Sequence, residues 1–453
     1  MIRRFWLLIS SLLISLMILH SAAFAQEILQ DAETDALLKK ALSPLVAATG
    51  LRTGDVKILI VNDPEINAFV AGGQMVFINS GTLMVADNVN QIQGVVAHEL
   101  GHVTAGHVVN STGISEASKI GLAAMILQVV LVPLSALVPV AGPLGMMLGG
   151  IGSQVAVQHY LAYTRTQEAS ADAAAVKFLR KSDISGRGIL EFFNKIRREE
   201  HRLMSSDSDG SFASDHPMTA DREMMLKGDL ENLPAWNRPI DPDLQQQFLR
   251  VRAKLIGYIS DPHQVLKDYP DDPHNIPDLY ARAYAWHRLS YFDKSMDEVQ
   301  KLLTLKPKDP YFLELKGQIL LESGHPDEAL APLREATALS QSPLIAASFG
   351  HALMATENPA HYAEAKQVLT VAVDHEEDNP LAWFVLGTIY DREGDVAHAN
   401  LATAERYSLS GQTTLAMDAA DMALKGLDPN TADWRRANDI AITARHALER
   451  KKK

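Results

Sequence analysis

The chain has 453 residues, of which 47% are apolar and 21% charged, and its formal net charge at pH 7 is −13. This length favours two domains, and this apolar content excludes wholesale disorder. The negative charge argues against nucleic acid as a partner, since a phosphate-binding protein needs a basic surface. The sequence contains no cysteine, so disulfides do not contribute to the fold.

Residues 1–25 have the composition of a cleaved export signal. Arg3 and Arg4 form a basic start, an apolar run follows, and Ala23-Phe24-Ala25 is a small-x-small cleavage site. We therefore expect the mature chain to begin at Gln26. An exported chain without cysteine fits the bacterial periplasm or an equivalent compartment, where it can still associate with a membrane.

The mature chain is predicted to begin with a helix over residues 27–50, because apolar side chains recur there at helical spacing. Two strand-like runs follow, at Val56–Val61 and Gln74–Asn79, with residues 68–73 between them. The paired glycines at the end of that connection indicate a turn or a close approach of the backbone.

The motif His98-Glu99-Leu100-Gly101-His102 carries the strongest chemical signal. On a helix, the two histidines lie about one turn apart, so both imidazoles project from one face and can share a metal ion. Glu99 lies beside them, where a carboxylate can take a proton from metal-bound water. The apolar, proline-free run before the motif favours a helix that begins near Val89. The alternative is a surface helix with two incidental histidines.

Residues 120–164 contain no Asp, Glu, Lys or Arg. Pro133, Pro139 and Pro143 interrupt the segment, so it does not form one continuous apolar helix. Three interpretations stay open: a pair of helices buried in the protein core, a hairpin that leans on a membrane or caps the active site, and a true membrane span. The second would provide a peripheral membrane contact.

A catalytic zinc site needs a third protein ligand besides the two histidines, and Glu168 is the best candidate. Asp172 follows it by one helical turn, so both carboxylates can face the metal helix. We predict that Glu168 binds zinc and that Asp172 accepts a hydrogen bond from a ligand histidine, which fixes the histidine's tautomer. The alternative is an acidic, solvated helix face, which the small apolar flanking residues disfavour.

The next stretch contains a predicted loop and a domain boundary. Residues 201–216 are rich in Ser, Asp and Gly, a composition typical of loops. Between Pro234 and Pro277, prolines lie on both sides of one predicted helix, Leu244–Ile259. We place the boundary between the two domains here, because domains are commonly joined by proline-rich or polar segments.

The C-terminal part repeats with the spacing of tetratricopeptide helix pairs. Besides the best-matching unit, which includes Trp383, another unit begins at Pro310. Two weaker units begin near Asn275 and Pro343. The alternative interpretation is a generic helical bundle. The positions that best match the repeat are Trp383, Leu386, Gly387, Tyr390, Gly394 and Ala399.

These features predict the overall organisation. Residues 26–265 form an α+β zincin-like metalloprotease domain, mostly helical with a small sheet and carrying the apolar insert 120–164. Residues 270–450 form an all-α tetratricopeptide repeat superhelix, whose concave surface can bind extended or helical segments.

The metal helix, followed by the Arg165-x-x-Glu168-x-x-x-Asp172 pattern, resembles the gluzincin metallopeptidases, which include prenyl-protein endopeptidases and the HtpX-type heat-shock membrane proteases. With an export signal before it and repeats after it, the chain is most similar to the periplasmic beta-barrel assembly-enhancing proteases. The resemblance implies a zinc metalloendopeptidase of class EC 3.4.24. It also implies misassembled outer-membrane beta-barrel proteins as substrates, chaperone-like help in their assembly, and the barrel-assembly machinery as a partner of the repeat domain.

The resemblance assigns further residues before the metal helix. Residues 67–81 are similar to the substrate-side strand of the family. This likeness makes Gln74–Asn79 an edge strand on which an extended peptide pairs, and it makes Asn67 and Gln74 candidate contacts of the substrate or transition state.

A second likeness concerns Asp215-His216-Pro217 and Arg222. In the assembly-enhancing proteases, a histidine at this point can reach the zinc as a fourth, inhibitory ligand, and the alternative is a loop histidine without metal contact. Arg222 is a candidate contact of the substrate or transition state. His107 lies off the ligand face and is expected to be structural.

Spacing and resemblance together predict one Zn²⁺ per chain, bound by His98, His102 and Glu168. Zinc polarises the scissile carbonyl, and Glu99 activates the attacking water and passes its proton to the leaving amine. The alternative function is a non-proteolytic chaperone or scaffold. Its zinc would be structural or blocked, with His216 as the fourth protein ligand.

Overall fold

The computed structural model of the protein describes residues 28–52, 54–71, 74–107, 152–203, 216 and 220–451. The predicted export signal, most of the apolar segment 120–164 and residues 204–215 of the predicted loop lie outside the described residues, whereas residues 201–203 of that predicted loop are helical. None of the described helices combines the length and apolar character that crossing a membrane requires.

The N-terminal part combines a small sheet with helices. Its elements, in chain order, are β1 (Ile28–Leu29), α1 (Ala32–Thr49), β2 (Lys57–Val61), β3 (Ala68–Ala71), β4 (Met75–Asn79), α2 (Ser80–Val85), α3 (Val89–Ala105), α4 (Gly152–Ser182), α5 (Arg187–Leu203) and α6 (Ala220–Glu231). The predicted mostly helical domain with a small sheet is confirmed.

The sheet has the strand order β1-β2-β4-β3. Strand β4 pairs parallel with β2 and antiparallel with β3, with Phe77 opposite Phe69. The prediction that Gln74–Asn79 is an edge strand is therefore wrong. The antiparallel pairing of β3 covers the side of β4 that would otherwise be free. The described sheet has β1 and β3 at its two edges, and β3 lies in the stretch that was predicted to be a connection.

Helix α3 begins at Val89 as predicted, because the side chain of Asn88 accepts a hydrogen bond from the backbone N–H of Gln91 at 3.0 Å and caps the first turn. Its residues from Val89 to His102 are all buried. Gly101 lets α4 approach closely, since a Cβ at this position would lie 2.6 Å from the carbonyl oxygen of Ala171. This approach places Glu168 beside the metal motif.

The C-terminal part is entirely helical. Its helices are α7 (Pro242–Ile259), α8 (Pro262–Asp268), α9 (Ile276–Arg288), α10 (Phe292–Leu305), α11 (Pro310–Glu322), α12 (Pro326–Ser340), α13 (Pro343–Ala355), α14 (Tyr362–His375), α15 (Pro380–Arg392), α16 (Val396–Leu409), α17 (Thr413–Ala423) and α18 (Ala432–Lys451).

Helices α9 to α16 form the predicted series of helix pairs, and the tetratricopeptide architecture is confirmed. Several first helices begin with proline after a capping Asp or Asn, as at Asp309 and Asn379, which fixes where each helix starts. Gly317 lies so close to Leu333 of the paired helix that a Cβ would come within 2.3 Å of its Cγ. The third unit is longer because a 3₁₀ turn, Pro359–His361, is inserted.

The chain divides into two compact units. The first comprises residues up to Leu29 together with Leu45–Asn237, and the second comprises Gln30–Pro44 together with Arg238–Lys453. Most of α1 is thus grouped with the repeats, and the division falls at Pro44, a proline inside the helix. Residues 238–265, which the sequence analysis attached to the protease domain, are also grouped with the repeats.

Buried ion pairs hold Gln30–Pro44 within the second unit. The guanidinium of Arg250 lies 2.6 Å from a Glu33 oxygen and 2.7 Å from an Asp309 oxygen, and Lys254 pairs with Asp31. Tyr280 donates its hydroxyl hydrogen to Glu33 at 2.7 Å. Buried charges are tolerated only when they are paired in this way.

Candidate metal centre

Four buried side chains converge between α3 and α4. They are His98, His102, Glu168 and His216, and each offers one atom such that all four atoms lie within 4.8 Å of one another. In the part of the chain that the structure describes, no other group of three or more His, Cys, Asp or Glu residues meets in this way.

The three predicted ligands face one another through the expected atoms. Nε2 of His98 lies 3.3 Å from Oε2 of Glu168, and Nε2 of His102 lies 3.3 Å from Oε1 of the same carboxylate. The two Nε2 atoms are 3.1 Å apart. Helical spacing accounts for the pair of histidines, and the close crossing of α4 supplies the carboxylate.

His216 contributes a fourth nitrogen. Its Nδ1 lies 3.2 Å from both carboxylate oxygens of Glu168 and 3.2 Å from Nε2 of His98. Its Nε2 lies 3.5 Å from Oε1 of Glu99. The structure therefore brings His216 to the cluster, and its role as a fourth ligand stays a prediction.

Glu99 lies at the same centre and is 1% exposed. Its Oε1 is buried and has no hydrogen-bond partner among the described residues. Burial raises the pKa of the Glu99 carboxyl, a change that the positive charges of nearby imidazoles reduce. A buried carboxylate oxygen without a hydrogen bond is suited to accept a proton from a reacting water.

Asp172 and Arg222 support the cluster from behind. Nδ1 of His98 donates to Oδ1 of Asp172 at 2.9 Å, so Nε2 is the ring nitrogen that faces the centre, and the role of Asp172 in fixing the tautomer stays a prediction. Arg222 donates to Asp172 at 2.9 Å and lies 2.8 Å from Oε2 of Glu168. Burial opposes ionisation of Asp172, but hydrogen bonds from Arg222 and His98 hold its pKa below the ordinary value.

The protonation preferences of the proposed ligands favour a cation at this centre. Burial opposes ionisation of Glu168, yet hydrogen bonds from the three imidazoles hold its pKa below the ordinary value. Burial lowers the pKa of His102 to about 4, which keeps this imidazole neutral. Hydrogen bonds to Asp172 and Glu168 outweigh burial and raise the pKa of His98 to about 9, so a metal ion would displace that proton.

The residues present fit zinc. Two imidazole nitrogens and one carboxylate are the ligand set of many catalytic zinc sites, and all three side chains are buried. The anionic Glu168 and the orphaned Glu99 oxygen both gain from a cation at this centre. The zinc prediction is confirmed by this donor group.

Three residues were predicted as contacts of the substrate or transition state, and they have different surroundings: Asn67, Gln74 and Arg222. The backbone carbonyl of Asn67 accepts hydrogen bonds from Asn79 and Thr82, and the carbonyl of Gln74 accepts one from Lys57. Their contact with substrate stays a prediction. Arg222 is 9% exposed, and its pairing with two carboxylates supports a positioning role more than a direct contact with substrate.

The sequence did not indicate the contact that His107, expected to be structural, makes with His102. Its Nδ1 lies 2.8 Å from Nδ1 of His102, on the side of that ring opposite the cluster. On a straight helix, His107 would lie off the face that carries His98 and His102. The signal that could have found it is Gly106, whose positive φ of 65° ends the helix and turns the chain back.

Comparison with known proteins agrees with this site. Residues 32–229 match the model of Peptidase family M48. The chain is 24% identical over 379 residues to the beta-barrel assembly-enhancing protease of Escherichia coli (strain K12), covering 80% of this chain and 73% of the relative. It is also 24% identical over 374 residues to the protein of the same name in Yersinia pestis, covering 79% and 72%.

Among solved structures, the protein is similar to YrrB, described as a TPR protein with an unusual peptide-binding site. The sequence identity is 17% and the TM-score 0.31, and the likeness covers 38% of this chain and 91% of that one. The predicted resemblance to zinc metallopeptidases is confirmed by the family match and the curated relatives, and so is the assignment as a metalloprotease.

Proposed function

We propose that this protein, a metalloprotease whose residues 32–229 form an M48-type peptidase domain, is a periplasmic zinc endopeptidase. Its substrates are misassembled outer-membrane beta-barrel proteins, and it also gives chaperone-like help in their assembly. The observation that carries the catalytic part is Glu99, a buried carboxylate without a hydrogen-bond partner for Oε1 in the described structure, beside the His98, His102 and Glu168 donor set. The names of the curated relatives support the substrate class.

His98, His102 and Glu168 would hold the zinc, and a bound Zn²⁺ supplies Lewis-acid polarisation of the scissile carbonyl. Glu99 accepts a proton from the attacking water and later donates it to the leaving amine. Asp172 holds His98 in the tautomer that presents Nε2 to the centre. Arg222 holds Asp172 and Glu168 in place with its guanidinium.

Strand β3 is proposed to bind the substrate backbone. It is the last strand of the described sheet, so one of its sides can pair with an extended peptide. An unfolded segment presents free backbone N–H and C=O groups, whereas a folded barrel has already paired them. Pairing on β3 therefore selects unfolded chains without reading their side chains.

His216 is proposed to hold the enzyme in an off state. Its Nδ1 stands among the metal ligands and its Nε2 faces Glu99, so a reacting water cannot occupy the same space. Neutral imidazole is a good zinc ligand, and a fourth protein ligand closes the coordination sphere. A protease that meets every exported chain in its unfolded form needs such restraint.

The position of His216 among the proposed ligands also favours a second candidate function, a scaffold with a permanently closed zinc site. The two functions are distinguished by digestion of a denatured outer-membrane beta-barrel protein with the full mature chain and its variants. We expect His216→Ala to raise the cleavage rate several-fold and to leave the folded barrel intact. The exposed His263 provides the control, since His263→Ala should match the wild type.

The double variant His216→Ala/Glu99→Gln completes this experiment. Gln is nearly isosteric with Glu but cannot take the proton, so the double variant should keep zinc and lose all cleavage. If His216→Ala cleaves nothing while it contains zinc, the scaffold function is correct and the protease function is not. Fractionation of cells that express the full chain tests the periplasmic location.

A further inference from the structure

His107 lies behind a proposed zinc ligand and has no part in the function described above. Helix α3 ends at Gly106, whose φ of 65° lies in the left-handed region that favours glycine. This turn brings the imidazole of His107 back against His102, edge to face, with ring centroids 4.9 Å apart. The two Nδ1 atoms are 2.8 Å apart, which is a hydrogen-bond distance.

Only one arrangement of protons satisfies this contact together with metal binding. If Nε2 of His102 keeps its lone pair for the metal, its Nδ1 carries the hydrogen and donates it to Nδ1 of His107. The hydrogen of the neutral His107 is then on Nε2, which lies 3.1 Å from Oγ of Ser170 and donates to it. The hydroxyl of Ser170 donates in turn to the carbonyl oxygen of Gln167 at 2.9 Å.

Every donor and acceptor in this chain of hydrogen bonds is used in a consistent direction. It begins at a proposed ligand on α3 and ends at the backbone residue that precedes Glu168 on α4. This series of hydrogen bonds therefore connects the two helices that carry the proposed ligands, on the side of His102 away from the centre.

We propose that His107 and Ser170 are positioning residues that hold His102 in the tautomer and orientation that bind zinc, as Asp172 does for His98. This inference rests on the proposed zinc site. It explains why a histidine occupies position 107. The centre already contains Glu99, Glu168 and Asp172, and a neutral imidazole orients His102 without adding a fourth buried negative charge.

The zinc affinity of the full mature chain tests this proposal, measured by competition with a chromogenic chelator. Loss of a partner that orients a metal ligand typically weakens metal binding by about 10–100-fold, and we expect this loss for His107→Ala. His107→Asn should recover most of the affinity, because Oδ1 of Asn can accept the same hydrogen bond. Ser170→Ala should cause a smaller loss, since it removes only the second hydrogen bond.

Ser182 gives a matched control on the same helix. Its hydroxyl donates to the carbonyl of Phe178 at 2.8 Å, as Ser170 donates to Gln167, but it lies at the far end of α4 from the site. Ser182→Ala should bind zinc like the wild type. The visible absorption of the Co²⁺-substituted proteins gives a second readout, and it should change for His107→Ala and return toward the wild type for His107→Asn.

The outcomes separate this inference from the function on which it rests. If the wild type binds no zinc, the proposed zinc site fails. If the wild type binds zinc and His107→Ala binds it equally well, only the positioning role is wrong. If His107→Asn binds zinc as weakly as His107→Ala, the positioning role is also wrong, because a steric role of the imidazole would then explain the loss of affinity. The Asn and Ser170 variants keep the test decisive if His107→Ala does not fold.

Discussion

At the metal centre, each proposed ligand is held by a partner that suits its charge. His98 donates to the anionic Asp172, His102 donates to the neutral His107, and Glu168 receives the guanidinium of Arg222. A ligand side chain that is free to rotate loses part of its binding free energy to conformational entropy. These partners remove that freedom before the metal arrives.

Replacement of Glu168 should be more severe than replacement of Asp172. Glu168→Ala removes one of the three proposed protein ligands, so we expect loss of both zinc and proteolysis. Asp172→Asn keeps an acceptor for Nδ1 of His98 and should weaken zinc binding by about tenfold, whereas Asp172→Ala should approach 100-fold. Zinc content after dialysis and chelator competition measure both effects. Full zinc in Glu168→Ala would show that the third ligand lies elsewhere.

Glu314 in the repeat unit predicts a dependence of stability on pH. Its Oε2 is buried and has no hydrogen-bond partner among the described residues. Burial raises the pKa of this carboxyl to about 7, Lys254 opposes the rise, and Asp31 and Glu33 add to it. The folded state therefore binds more protons than the unfolded state between about pH 4.5 and pH 7. The contribution of Glu314 to stability falls as the pH rises through this window.

Glu314→Gln should remove this loss, because the amide does not ionise. We expect the variant to be more stable than the wild type near pH 8, by about 1–3 kcal/mol, and the difference to shrink near pH 5. Thermal unfolding at the two pH values measures it. The exposed Glu335 provides the control, since Glu335→Gln should leave the pH dependence unchanged. An equal effect of both variants would contradict the role of burial.

At the scale of elements, the register of β3 shows which backbone groups are available to a substrate. Asn79 donates its N–H to the carbonyl of Asn67 at 3.0 Å, so these opposite residues form a hydrogen-bonded pair. Such pairs alternate with non-hydrogen-bonded pairs in an antiparallel ladder. Val70, which is partly exposed, therefore directs its N–H and C=O groups away from β4, toward the side on which a peptide can pair, whereas Ala68 is fully buried.

Val70→Pro should impair proteolysis without breaking the sheet. Proline removes one outward N–H and is tolerated on edge strands, where no ladder hydrogen bond is lost. Loss of one backbone hydrogen bond to substrate, about 1 kcal/mol, should reduce kcat/KM for an unfolded protein about fivefold. Val70→Ala keeps the N–H and should behave like the wild type. Equal activity of both variants would exclude pairing on β3.

At the scale of the whole molecule, the repeat unit includes a segment from far earlier in the chain. Gln30–Pro44 and Arg238–Lys453 form one compact unit, and the link between them includes the buried ion pairs of Arg250. The guanidinium also stacks on Phe312, 4.4 Å from its ring centroid. Loss of the ion pair between Arg250 and Glu33 would leave the Glu33 carboxylate buried without its closest cation.

Arg250→Met should therefore destabilise the repeat unit by roughly 3–5 kcal/mol, because it leaves uncompensated buried carboxylates. The matched control is Arg334, which pairs with Glu364 and stacks on Phe349 but is half exposed. Arg334→Met should cost less than about 1 kcal/mol. Thermal unfolding compares the two, and hydrogen exchange of residues 30–44 should accelerate only in Arg250→Met. Similar losses in both variants would argue against an anchoring role for the buried pair.

The sequence by itself determined the features that depend on local spacing. His98 and His102 are one helical turn apart, Glu168 and Asp172 are another such pair, and the prolines and glycines of the repeats recur at a period that a helix pair imposes. Helix geometry places such residues on one face whatever the rest of the chain does, so the proposed zinc ligands and the repeat architecture could be predicted.

Only the tertiary structure decided the features that depend on contacts across the chain. The order of strands placed β3, and not Gln74–Asn79, at an edge of the sheet, because antiparallel pairing with β3 covered β4. The left-handed backbone conformation of Gly106 placed His107 against His102. Packing placed Glu33 against Arg250, more than two hundred residues away. Local periodicity contains no information on which distant side chain will meet a buried charge, because that choice is made by the packing of the whole fold.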